Sequence, residues 1–143
     1  MIVKELTDKD VDIITALYQT DFSDGWNRQM LLSSFSSGRF KCFGAFKDDL
    51  LVGVVAFTLS LDFADIESVV TKLEFRRKGV ADLLIKSALE SIKQQNLSSV
   101  LLEVRAGNLP AINLYLKQGF NKISVRKGYY LDGEDAIILK KEL

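Results

Sequence analysis

The spacing of apolar positions switches along the chain between a period of two and one of about 3.6, and each switch marks an element. Residues 2–6 make a short edge strand. Thr7-Asp8-Lys9-Asp10 is a helix start, because Val11, Ile14, Leu17 and Tyr18 then fall at helical spacing. The Asp, Ser and Gly content of 21–26 predicts a loop carrying two aromatic side chains, and a second short helix comes next over 27–35. Residues 40–46 and 50–60 are β-branched and aromatic-rich runs around Lys47-Asp48-Asp49, a polar turn short enough to force an antiparallel hairpin. A third strand over 64–72 continues that meander.

Helix and strand alternate in the second half. A helix over 80–95 sets Val80, Leu83, Leu84, Ala88 and Ile92 on one stripe and leaves Asp82, Lys86, Glu90 and Lys93 outside. The strand 98–104, reached through that helix, is predicted parallel to 64–72 by a right-handed crossover. Asn108 caps a helix over 109–118, with Pro110 in its first turn and Gly119 in the left-handed position that ends it. Strands over 120–126 and 136–141 flank the loop 128–135. The expected fold is α/β, a mixed, mostly antiparallel central sheet with a parallel β-α-β core and flanking helices.

Composition narrows what such a fold can do. The 143 residues, 48% hydrophobic and with one proline, fit a single domain, 1–143, without a Pro-rich linker. Nineteen basic and nineteen acidic residues cancel, so no global field favours a nucleic-acid backbone as a direct partner. The amino terminus lacks a charged-then-apolar signal pattern, and 50–61 is too short and too polar to cross a bilayer. A cytoplasmic protein with no membrane partner is expected. The absence of histidine removes histidine bases, Ser-His and Cys-His pairs and most zinc ligand sets, so no metal is expected. Cys42 stands alone in an apolar run, which favours a buried, inert thiol.

Arg76-Arg77-Lys78-Gly79-Val80-Ala81 joins a strand to a helix. Unpaired N–H groups, the positive end of the helix dipole, three cationic side chains and a glycine suit a phosphate, as in a nucleotide-derived cofactor. A solvated basic turn is the competing reading. A ligand anchored there would extend along the carboxyl ends of the parallel strands. Glu103 interrupts an apolar run at that end, either as a functional carboxylate or as the partner of Arg105 or Arg126. Glu67 is a second carboxylate or a solvent-facing strand residue. Tyr115 lies seven residues, about two helical turns, beyond Asn108 on one face. It is a core aromatic or a proton donor, and Asn108 a cap or a ligand contact. Asp62, Asp65, Glu67, Asp132, Glu134 and Asp135 could border a cationic substrate or be ordinary solvated loop residues.

The basic turn, then Leu102-Glu103-Val104-Arg105, then Asn108 through Tyr115 to Gly119-Phe120, occur in the order and spacing of the GNAT acyltransferases. The chain resembles that family best over roughly 64–140. Leu-Glu-Val-Arg-Ala-x-Asn, Ala111-Ile112-x-Leu114-Tyr115, and Arg126-Lys127-x-Tyr129-Tyr130 followed by Gly133-Glu134-Asp135-Ala136 resemble the members that acetylate ribosomal proteins. The resemblance implies a GNAT fold, acetyl-CoA as cosubstrate and, as acceptor, the amino-terminal alanine of a small-subunit ribosomal protein, acted on by a monomer or weak dimer. It implies that Val69, Val70 and Thr71 bind the pantetheine arm through backbone groups, and that Arg77, Lys78, Gly79, Val80, Ala81 and Asp82 wrap the pyrophosphate. Asn108 and Tyr115 would contact the cofactor too. Glu103 would be the general base and Tyr115 the general acid. Trp26, Arg126, Tyr129 and Tyr130 would lie near the acceptor, and Glu67 stands where many family members carry the base. Ala81 replaces a usual third glycine, and Lys72-Leu73 a commoner Asp-Pro.

Overall fold

The computed structural model describes residues 1–21 and 26–143; most of the predicted loop 21–26 thus lies outside the described residues. The chain runs β1 (Ile2–Leu6), α1 (Val11–Asp21), α2 (Arg28–Ser36), β2 (Phe40–Lys47), β3 (Leu50–Leu59), β4 (Phe63–Thr71), α3 (Val80–Ile92), β5 (Ser99–Arg105), α4 (Leu109–Lys117), β6 (Asn121–Arg126) and β7 (Ala136–Glu142). The strands form one sheet in the order β1-β2-β3-β4-β5-β7-β6, in which β4 and β5 are the parallel neighbours and the remaining neighbours pair antiparallel. Thr7 caps the short 3₁₀ turn Asp8–Asp10 that leads into α1, closing a reciprocal box with Asp10, so the predicted helix start opens as a 3₁₀ turn.

Two apolar cores lie on opposite faces of the sheet. On one, Val80, Leu84, Ile85, Ala88, Leu89 and Ile92 of α3 pack against Phe57, Val100, Leu102 and Leu139. On the other, Ile14, Leu17 and Tyr18 of α1 and Leu31 of α2 cover Cys42, Val54, Ala56 and Val70. Cys42 is buried, and burial pushes its thiol well above the ordinary range, which keeps it protonated. Leu83 departs from the predicted stripe and is exposed. At about 100° per residue, the buried positions span an arc whose centre is about 150° from Leu83. A helix lying on a sheet buries that wider arc, which includes Ile85 and Leu89 instead.

Candidate functional site

The sheet opens where β4 and β5 should run side by side. Their parallel register holds only at Phe63 with Ser99, Ala64 with Val100 and Asp65 with Leu101. Beyond that point β5 stays paired with β7, while β4 keeps to β3 through a bulge. Ile66 lies opposite Phe57 and Ser68 opposite Ala56, so Glu67 is the extra, unpaired residue. The bulge inverts the pleat. Ala64 and Ile66 face the α3 core, whereas Ser68 meets the Tyr18 hydroxyl at 3.0 Å and Val70 joins the α1 core. Past the bulge, the edge of β4 from Val69 to Thr71 has no strand on its β5 side.

A cleft of about 550 Å³ runs along that open edge. It is lined by Val69, Val70 and Thr71, by Arg76, Arg77 and Gly79 through Asp82, and by Asn108, Ala111, Leu114 and Tyr115. Gly79 is the residue before α3, at φ 80°, a left-handed conformation that costs glycine nothing. No side chain caps α3, and the first bond of the helix runs from the Leu83 amide to the Gly79 carbonyl at 3.0 Å. The amides of Val80, Ala81 and Asp82, residues that line the cleft end, therefore have no backbone acceptor, the arrangement that binds anions.

The three cationic side chains of this turn are not equivalent. Arg77 lines the cleft. Arg76 also borders it, but its Nε donates to the Thr71 carbonyl at 2.9 Å and its Nη2 to the Asp21 carbonyl at 3.2 Å. It braces the turn rather than serving as a free cation. Lys78 lies over the Phe75 ring, 5.6 Å from its centre, and does not line the cleft. Asp82 brings only its amide, because Gln118 and Lys117 of the α4 end hold its carboxylate and, with the Gln118 hydrogen bond foremost, keep its pKa below the ordinary range. Asp21, Phe75 and Pro110 complete the lining and were not foreseen. Asp21 also accepts the Leu73 amide at 2.9 Å, a contact 52 residues apart that no local pattern announces.

Asn108 is the predicted cap and also borders the cleft. Its Oδ1 accepts the Ala111 amide at 3.3 Å, capping α4. Two turns on, Tyr115 is 7% exposed, and burial raises its phenol to about 12. No hydrogen bond ties its hydroxyl to a described residue, and no described buried polar atom lacks a partner, so the hydroxyl opens to the cleft.

Glu103 lies outside this cleft. Val100, Leu102 and Val104 of β5 point into the α3 core, so Glu103 and Arg105 project from the opposite face. There Arg126 approaches Glu103 at 3.7 Å, one of the two pairings foreseen. Tyr129 also faces Glu103, whose hydrogen bond and negative charge raise the phenol. Arg126 stacks over Tyr129 at 5.4 Å, and the rings of Tyr129 and Tyr130 meet edge to face at 5.1 Å. Burial, then the charges of Glu67 and Glu103, raise Asp65, so these carboxylates share a second cluster across the open sheet from Tyr115. Trp26 stands apart from it, stacked on Phe40 at 5.9 Å and edge-on to Tyr18 at 6.3 Å. Asp132, Glu134 and Asp135 do not stand free toward a substrate. They bind Arg105, the Gly107 amide, the Gly128 amide and Lys127.

A sheet parted beside an uncapped helix start is also the setting of a known class of acyl-transfer enzymes, to which comparison assigns the chain. The chain belongs to the acetyltransferase (GNAT) family, matched over residues 11–120, and is an N-acetyltransferase. It is 31% identical to an N-alpha-acetyltransferase of Saccharolobus solfataricus over 94% of this chain and 88% of that one. It is 27% identical to the ribosomal protein bS18-alanine N-acetyltransferase of Salmonella typhimurium over 90% of this chain and 96% of that one. The crystal structure of the ribosomal-protein-S18-alanine N-acetyltransferase from Escherichia coli superposes with a TM-score of 0.89 at 25% identity, over 99% of this chain and 92% of that one.

Proposed function

We propose that this protein transfers acetyl from acetyl-CoA to the α-amino group of a protein amino terminus, with the alanine terminus of a small-subunit ribosomal protein as its acceptor. The observation that carries this reading is the parting of β4 from β5 between the Tyr115 cleft and the Glu103 cluster. It lets two substrates enter from opposite faces and meet. The cleft fits the cosubstrate. Three open amides suit a diphosphate, the free β4 edge suits the amides of a pantetheine arm, and the walls are largely apolar. Acetyl-CoA supplies the thioester, and the chain supplies the alignment of the two substrates and the proton transfers between them.

The acceptor nitrogen must be neutral to attack. An α-amine of pKa about 8 is already about a tenth neutral at pH 7, whereas a lysine near 10.4 is neutral about once in some thousands. Glu103, directly or through water, takes the ammonium proton. The nitrogen then attacks the thioester carbonyl, and a backbone N–H of the open β4 edge near Val70 stabilises the oxyanion. As the C–S bond breaks, Tyr115 gives its proton to the departing sulfur, and the nitrogen releases its second proton to solvent as the amide forms. Glu67 is the alternative base. Naming in both the archaeal and the bacterial relatives supports an α-amine acceptor, and the bacterial names favour ribosomal alanine. The test is acetyl transfer to a ribosomal peptide beginning with alanine, against the same peptide blocked at its amino end and bearing lysine. Transfer to the free α-amine is expected, and equal transfer to the blocked peptide would overturn the reading.

A further inference from the structure

We propose that Glu134 is a positioning residue for the acceptor. It clamps the loop that carries Tyr129 and Tyr130 onto the turn between β5 and α4, and the inference rests on the proposed acetylation of a protein amino terminus. One carboxylate oxygen of Glu134 accepts from Arg105 Nη1 at 2.9 Å, and the other accepts the Gly107 amide at 2.8 Å. Gly107 precedes Asn108, the cap of the helix that bears Tyr115. One side chain thus joins the acceptor-side loop to the cleft-side helix.

The rest of the loop is built around that carboxylate. Arg105 also binds Asp132 at 2.9 Å, and its guanidinium lies 4.1 Å from the centre of the Tyr130 ring. The Tyr130 amide donates to the Glu134 carbonyl at 3.1 Å and the Ala106 amide to the Asp135 carbonyl at 3.0 Å. Gly107 has no positive φ, so its backbone does not require glycine. A Cβ there would instead sit 2.7 Å from the Glu134 carboxylate oxygen. The missing side chain is what admits the clamp.

These ion pairs are part-exposed and screened, so they contribute little to global stability. Their effect is to select one arrangement. No residue of 127–135 is buried, and Leu131 at the loop tip is fully exposed, so apolar packing does not fix the loop. The polar clamp does, and with it the position of Tyr129 beside Glu103.

The experiment uses the full chain with an alanine-terminal ribosomal peptide. In Glu134→Gln the acceptor KM should rise on the order of tenfold, while kcat and the acetyl-CoA KM each stay within about twofold. Gly107→Ala should raise the acceptor KM likewise, and the double variant should be no worse than either single one, because both remove the same contact. An unchanged acceptor KM in Glu134→Gln, or additive effects in the double variant, would overturn the proposal. Amide exchange at 128–135 reads the clamp without turnover. It should quicken in Glu134→Gln with the melting temperature nearly unchanged, and equal exchange overturns the proposal. A wild-type protein that never acetylates the peptide would overturn the functional reading instead.

Discussion

The amide of Phe120 donates to the carbonyl of Tyr115 at 3.0 Å, and the two rings meet 5.7 Å apart. With the Gly119 amide bonded to the Leu116 carbonyl at 3.1 Å, this is the glycine-dependent closure that ends a helix, complete with its apolar contact between the flanking residues. The helix end therefore also orients the side chain assigned to proton donation. Gly119 sits at φ 93°, and a Cβ there would lie 2.6 Å from the Lys141 ammonium nitrogen. Gly119→Ala should cost about 1–2 kcal/mol of stability and lower kcat as Tyr115 shifts. Urea unfolding and steady-state rates measure both. Wild-type stability and turnover together would break the link between cap and catalysis.

In the proposed reaction Tyr115 and Glu103 act on different atoms from opposite sides of the opened sheet. Tyr115→Phe and Glu103→Gln should each reduce kcat by about 10²- to 10⁴-fold, with acetyl-CoA binding retained by calorimetry, since neither change touches the open amides of α3. If both variants turn over normally, these assignments are wrong. Loss in Glu67→Gln with full activity in Glu103→Gln would move the base to the bulge.

Burial of Tyr115 fixes the shape of the pH profile. Its pKa is raised to about 12, so the hydroxyl keeps its proton through neutral and mildly alkaline conditions. The rate should rise with pH as the acceptor amine loses its proton near about 8, then stay flat rather than fall toward pH 10. For stability, a folded pKa raised above the unfolded value means the contribution is full below the unfolded pKa of about 10 and is lost as pH rises toward the folded one. Melting temperature should therefore decline above that point, less so in Tyr115→Phe. A descending kinetic limb below pH 9 that vanishes in Tyr115→Phe would contradict the raised pKa of Tyr115.

Legibility in the sequence was local. Asn108 capping α4, Gly119 in a left-handed conformation, and the Lys47-Asp48-Asp49 hairpin each depend on a few adjacent residues, and the structure has them all. The parallel β4–β5 pair came from one long-range rule. The hidden features depend on partners distant in the chain. Arg76 reads as a phosphate ligand until Thr71 and Asp21 take its guanidinium, and Glu134 reads as a solvated acid until Arg105 and Gly107 meet it. The bulge at Glu67 was unreadable because a strand's alternation reports which residues share a face and not where the pleat inverts. Trp26 packs against the α1 core, which local pattern could not show because its aromatic partners Tyr18 and Phe40 come from two other elements.

Adjacent arginines on the phosphate turn should fail differently. Arg77 borders the cleft with no hydrogen bond or ion pair to another described residue, so its charge is available to a diphosphate. Arg77→Gln should weaken acetyl-CoA binding by about three- to tenfold and flatten its dependence on salt, because one screened attraction has been removed. Arg76 commits its guanidinium to the carbonyls of Thr71 and Asp21. Arg76→Gln should lower stability by roughly 0.5–1 kcal/mol and leave the salt dependence as steep as in the wild type, with any loss of affinity arising from a looser turn. Calorimetric titration of coenzyme A at low and high salt separates the two, alongside urea unfolding of each variant. If the ranking came out reversed, with Arg76→Gln abolishing the salt dependence and Arg77→Gln merely destabilising, the diphosphate would be held by the brace, and this division of labour would be wrong.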